Sequence, residues 1–156
     1  MAKALIVCIG NDLVADDGAG HAVHRVLAAR LVVGMRLLLL GLGGMSLVDQ
    51  FQGEEHLIVV DAVQLGAPVG TIHVLNWAAL PASSCQFSCH GIGVREAIEV
   101  SRKLYPEMTP QKVHLVGIEG RCFDQLGEGL SDEVAAAVIP AAAAVLSLLG
   151  EDTALL

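Results

Sequence analysis

Short apolar runs recur along the chain, and between them the spacing of apolar positions changes to that of helices. The first run, Leu5-Ile6-Val7-Cys8-Ile9, is unbroken by any polar side chain, the pattern of a strand buried on both faces. Met35–Leu40, His56–Ala62, Thr71–Leu75 and Lys112–Ile118 read as four further strands. Residues 19–33 predict a helix with Ala22, Val23, Val26, Leu27 and Leu31 inward, stopped by Gly34. Ser46 is placed to cap a short helix reaching Phe51. Ile92–Tyr105 predicts a helix with Val94, Ala97, Ile98 and Leu104 inward. Residues 131–149 predict the last helix, with Ser131 as N-cap, Glu133 in its first turn and a kink at Pro140.

Strands alternating with helices predict an α/β fold: a single three-layer αβα domain with a twisted, mostly parallel five-stranded sheet and helices on both faces. No repeat or linker marks a boundary, so residues 1–150 are expected to form one domain and 151–156 a frayed tail.

Composition narrows the function classes. The chain has 156 residues, 54% hydrophobic and 17% charged, enough for a real core. A net charge of −8 disfavours nucleic acid and anionic membrane as partners and mildly favours a cation or a cationic partner. Met1-Ala2-Lys3 precedes no signal-peptide pattern, and no apolar run reaches about 18 residues. The expectation is a cytoplasmic protein acting as a monomer.

Chemistry gathers where strands end. Gly10-Asn11 closes the first strand, and the loop delivers Asp16 and Asp17 to the helix that opens near Gly18. The spacing is not G-x-G-x-x-G, and two acids would repel a pyrophosphate there. The pair either caps the helix or meets a cation or another protein's positive group. Asp17 and His21, spaced i and i+4, could share a metal, although solvated helix histidines are the commoner case.

Asp61 ends the third strand, where open α/β sheets collect ligands, and equally could turn the chain. The poorly patterned loop from Asn76 to Cys89 closes on His90-Gly91, which makes His90 a plausible ligand at a helix start. Cys85, Cys89, His90 and Cys122 fall outside the usual zinc spacings. Cys89 and His90 are sequence neighbours that point apart in extended chain, a poor nucleophile and base. The segment around Ser46 lacks the second glycine of a nucleophile elbow. Without Asp-Thr-Gly or Asp-Ser-Gly, an aspartic-protease dyad is a poor reading as well.

The sequence resembles the maturation endopeptidases of [NiFe] hydrogenases. The residues that carry the likeness are Ile9-Gly10-Asn11-x-Leu13-x-x-Asp16-Asp17-Gly18-x-Gly20, Leu57–Ala62, Gly70-Thr71, His90-Gly91, Val116–Glu119 and Ile139-Pro140-Ala141. The resemblance implies an endopeptidase that recognises nickel in the large-subunit precursor and removes its C-terminal extension. It implies metal contacts at Asp17, Asp61 and His90, with Asp17 and Asp61 also catalytic and Asp16 a further possibility as general base. The nickel is supplied by the precursor, and another divalent metal can occupy the site in vitro. Gly41, Gly43 and Gly44 stand where relatives carry a polar segment, and the resemblance implies that this loop meets the substrate. Two carboxylates about 5 Å apart repel by roughly 3 kcal/mol at an effective dielectric of ~20, so such a pair wants a cation. The alternative is a metal-binding or sensor module using the same cluster without cleaving anything.

Overall fold

A computed structural model describes residues 2–30, 33–41, 45–77, 91–121, 123–127 and 129–151. The expectations for Gly43, Gly44, Cys85, Cys89, His90, Cys122 and the tail from residue 152 lie outside the described residues.

Five strands make one sheet: β1 (Ala4–Ile9), β2 (Met35–Leu40), β3 (His56–Val63), β4 (Ile72–Asn76) and β5 (Lys112–Glu119). Their order is β2-β1-β3-β5-β4, and all pairs are parallel except β4 with β5. This is the expected mostly parallel sheet. The helices are α1 (Ala19–Ala28), α2 (Gly91–Leu104) and α3 (Asp132–Leu148).

Side-chain alternation sorts the core into two layers. Ile6, Cys8, Ile58, Val60 and Ile118 face α1 and α3, where Val23, Leu27, Ala141 and Val145 close over them. Leu5, Val7, Leu57, Val59, Val63 and Leu115 face α2 and the 3₁₀ segment Met45–Gln50, against Val94, Ala97, Ile98 and Leu47. β1 is buried along its whole length because it has a strand on each side and a helix layer on each face. β2 was expected to be buried, but it lies at the edge and is only partly covered, with Leu39 exposed.

Two helix readings change. α1 ends at Ala28, short of Val33: the pattern continues, but Ala28 and Ala29 face solvent and bury nothing that would extend the helix. Leu104, expected inward, is exposed. The buried stripe of α2 ends at Ser101, whose hydroxyl meets that of Thr109 at 2.6 Å, and residues 102–104 of the last turn are exposed. α3 passes through Pro140 as one continuous helix, giving up a single ladder bond there. No helix among the described residues is long and apolar enough to cross a membrane.

Candidate functional site

Among the described residues, four buried carboxylates collect at the carboxyl edge of the sheet: Asp16, Asp17, Asp61 and Glu119. A parallel sheet favours this edge, since each strand hands its chain to a loop on the same side. Burying a carboxylate is costly unless donors or a cation meet it, so the environment of each acid decides its role.

The loop after β1 is fixed by close backbone approach. Gly10 lies so near the Asp17 carbonyl that a Cβ there would stand 2.2 Å from its oxygen. A Cβ on Gly20 would stand 2.1 Å from the Ile9 carbonyl oxygen. The start of α1 thus sits directly on the end of β1, with Asn11 N–H donating to the Asp17 carbonyl at 3.1 Å. A 3₁₀ turn, Ala15–Gly18, intervenes between strand and helix, and it opens with Ala15 at φ 39°. A left-handed alanine is strained, and the tight turn it makes presents Asp16 and Asp17 on successive residues.

The expected capping role is not what the acids do. Gly18 occupies the N-cap of α1, and no side chain caps it. Asp16, with no exposed surface, accepts from the backbone N–H of Arg121 at 2.8 Å and of Ser131 at 2.7 Å. The Ser131 hydroxyl adds contacts at 2.9 and 3.0 Å to the two carboxylate oxygens. Ser131 does hold the N-cap position of α3, but its hydroxyl serves Asp16 rather than its own helix. Asp16 is therefore a latch that ties the β1 loop to the loop between β5 and α3. A carboxylate committed to three donor groups is poorly placed to take a proton from water, which argues against the general-base reading of Asp16.

Glu119 makes the matching clamp on the other side. Its carboxylate accepts from Leu65 N–H at 2.8 and 3.0 Å, from Ala67 N–H at 3.0 Å, and meets His73 Nε2 at 3.3 Å. It thereby holds the connection that leaves β3 after Val63, two residues beyond Asp61. The sequence signal was a single acid closing an apolar strand, and nothing local said which loop it would hold.

Asp17 and Asp61 remain as the acids of the proposed pair, 8% and 1% exposed. Asp61 Oδ1 accepts from Ala62 N–H at 2.8 Å. In the alternation of β3, Asp61 falls in line with Leu57, Val59 and Val63, on the face that α2 covers. The turn carrying Asp17 packs against β3, and β1 and β3 are direct neighbours in the sheet. The two acids are thus delivered by adjacent strands to one edge. His21 does not join Asp17: its Nδ1 lies 3.6 Å from Asp12 Oδ2. Gly41 follows β2 at the same edge, exposed, with open space where a side chain would be.

Cys8 is the cysteine nearest this chemistry among the described residues. It is free and fully buried, and burial, reinforced by the charge of Asp61, pushes its thiol far above the ordinary range. It is inert as a nucleophile. No group of three metal-binding side chains gathers among the described residues, and His90, the third implied ligand, lies outside them.

Comparison with known proteins places the chain. The family model of the hydrogenase maturation protease matches residues 21–148. A hydrogenase expression/formation protein HupM from Azotobacter chroococcum is 32% identical over 151 residues, covering 94% of this chain and 71% of its own. The hydrogenase 2 maturation protease of Escherichia coli is 29% identical over 154 residues, covering 96% and 92%. Among solved structures, the hydrogenase maturating endopeptidase HybD from Escherichia coli superimposes with a TM-score of 0.82 at 26% identity, over 96% of this chain and 93% of that one. The [NiFe] hydrogenase maturation protease HybD from Thermococcus kodakarensis gives 0.80 at 28% identity, over 95% and 99%. With most of its length matched by the family model and its fold shared with these endopeptidases, the chain belongs to the hydrogenase maturation protease family.

Proposed function

We propose that this protein is the endopeptidase that reads nickel in the large-subunit precursor of a [NiFe] hydrogenase and removes the precursor's C-terminal extension, completing maturation. The observation that carries the reading is the pair of buried acids, Asp17 and Asp61, delivered to one sheet edge by the neighbouring strands β1 and β3. Asp61 lies on the face that α2 covers, and α2 begins at the residue after His90. That sequence position supports His90 as the third ligand.

Two carboxylate oxygens and an imidazole suit a borderline divalent cation and leave coordination positions open for the precursor's own ligands. The nickel is substrate-borne and the protein holds none of its own; another divalent ion can take its place in vitro. Contact with Asp17 and Asp61 fixes the precursor so that the scissile bond is held in one place, which is where most of an entropy-limited barrier is removed. Gly41 leaves room for the precursor beside this edge, and Gly43 and Gly44 follow it in the sequence as the rest of the proposed substrate loop. The reaction takes place in the cytoplasm, on a protein partner, without nucleic acid or membrane.

The test is incubation with nickel-loaded and nickel-free precursor, followed by mass spectrometry of the released peptide. Nickel-loaded precursor should be cut and nickel-free precursor left intact. Asp17→Asn, Asp61→Asn and His90→Ala should each lower cleavage by at least the roughly 10–100-fold that follows loss of a group merely supporting a metal ligand, while circular dichroism stays that of the wild type. Cys89→Ala and Ser46→Ala should cleave normally. Cleavage of nickel-free precursor would refute the mechanism. Nickel-dependent binding with no peptide released would make the protein a binding module instead.

A further inference from the structure

The row of residues that carries Asp61 continues across the sheet. Asp61 on β3 is in register with Gly117 on β5, and Gly117 is in register with His73 on β4. Leu115 and Leu75 pack into the α2 layer, so by alternation Gly117, Glu119 and His73 stand on the face that carries Asp61. Gly117 places no side chain between the two, and none fits: a Cβ there would lie 2.7 and 2.9 Å from the Val63 methyl groups. Adjacent strands lie about 4.8 Å apart, so the Cα atoms of Asp61 and His73 are separated by about 10 Å. An extended chain covers that span in about three residues.

His73 is also held in one orientation. Its Nε2 meets Glu119 Oε1 at 3.3 Å, and Glu119 is 3% exposed and anchored by the Leu65 and Ala67 N–H groups. A carboxylate accepts and does not donate, so the proton of the neutral imidazole sits on Nε2 and Nδ1 offers a lone pair. Among the described residues nothing donates to that nitrogen, and the side chain keeps 17% of its surface exposed. A carboxylate that fixes one ring nitrogen so that the other faces a partner is how proteins aim the histidines that bind metals, and it aims an acceptor equally well. The histidine pair at the opposite end of the strands differs, since His56 Nε2 and His114 Nδ1 satisfy each other.

We propose that His73 binds the substrate: its Nδ1 accepts a hydrogen bond from a backbone N–H of the precursor, about three residues along the chain from the point that Asp61 contacts. The inference rests on the proteolytic reading and adds a second anchor to it. Two fixed points on one face, one for the cation and one for the main chain, set the direction in which the precursor crosses the sheet edge. The bond is made alike in ground and transition states, so its loss raises KM and spares kcat.

Substitutions at His73 separate this contact from a merely structural one. His73→Ala removes both nitrogens, and KM for nickel-loaded precursor should rise about three- to tenfold, the scale of one hydrogen bond, with kcat changed less than about twofold. His73→Asn keeps an acceptor where Nδ1 stood and loses the reach to Glu119, so KM should return to within about twofold of wild type. His73→Gln keeps the donor to Glu119 and lacks that acceptor, so it should restore stability in urea unfolding but leave KM as in the alanine variant. An unchanged KM in His73→Ala, failure of His73→Asn to restore it, or restoration by His73→Gln overturns the proposal. Proline replacing each residue of the precursor's cut region in turn removes one N–H at a time. At one position it should raise KM for the wild type and not further for His73→Ala; the absence of any such position overturns the backbone assignment. Independently of cleavage, a synthetic peptide of the nickel-free precursor's C-terminal region should shift the Nδ1 resonance of His73 in ¹⁵N-labelled protein, and no shift overturns the contact. If no precursor is cut, the protease reading falls, while the peptide titration still decides the role of His73.

Discussion

Replacing Asp16 by asparagine separates a latch from a proton-transfer group. The side chain keeps its size, and its one remaining oxygen can still accept from either the Arg121 or the Ser131 N–H, now 2.8 and 2.7 Å away. The new NH₂ must then face the other donor. One charge-assisted hydrogen bond is lost and one partly buried donor is left facing the new NH₂, so a net loss of roughly 3 kcal/mol is expected. For a chain of this length that corresponds to a melting point about 6–12 °C lower. Asp16→Ala, which removes both oxygens, should cost about 3–5 kcal/mol, as when one partner of a buried network is deleted. Urea unfolding gives the stability change, and cleavage of nickel-loaded precursor well below the melting point gives the activity. The latch predicts an unstable Asp16→Asn enzyme that still cuts, within about tenfold of wild type. A variant as stable as wild type, or a stable one whose cleavage falls beyond about 1,000-fold, the scale of a lost catalytic base, would refute it.

Two further expectations concern the opposite edge of the sheet and the first loop. His56 Nε2 and His114 Nδ1 meet at 2.8 Å, and burial first, then neighbouring positive charge, holds both imidazoles below their ordinary value. Below pH 6.5 the unfolded chain therefore takes up protons that the folded pair refuses. Stability should be full near neutral pH and decline as pH drops from there; urea midpoints at about pH 7.5 and about pH 5.5 measure it. His114→Gln should shrink that difference, and an equal decline in the variant would count against the pair. Gly20→Ala forces a methyl to 2.1 Å from the Ile9 carbonyl oxygen, so a loss of about 3 kcal/mol or more is expected in a thermal melt. A variant within about 1 kcal/mol of wild type would show that strand and helix can part without cost.

The sheet was legible because a strand buried on both faces must be apolar at every position, as Leu5–Ile9 and Leu57–Val60 are. The edge position of β2 was hidden by the same rule, since four consecutive leucines read as interior. Asp61 stood out as an acid closing an apolar run, and Asp17 as one of two acids in the loop after the first run. Asp16 looked like their equal, because what distinguishes it comes from Arg121 and Ser131, more than 100 positions away in the chain. Local pattern also misjudged both helix ends: Leu104 continues the spacing of α2, yet burial had already ended at Ser101. His21 is similar. Its spacing from Asp17 fits a shared ligand, and the loop that bends Asp12 alongside leaves no trace in periodicity.

The order β2-β1-β3-β5-β4 also sets a timetable for synthesis. β4 is made before β5, yet β5 is its neighbour in the sheet, so β4 leaves the ribosome before its partner strand exists. Only when residues 112–119 arrive does the gap between β3 and β4 fill, and the Asp16 carboxylate must wait further, for Ser131. The Asp16 latch at the carboxyl edge is therefore completed only after β5 and the start of α3 have been made. A nascent chain stalled before α3 would carry both Asp17 and Asp61 but lack the Ser131 half of the latch that sets the turn bearing Asp17, so a partly made copy would be poorly formed to engage a precursor.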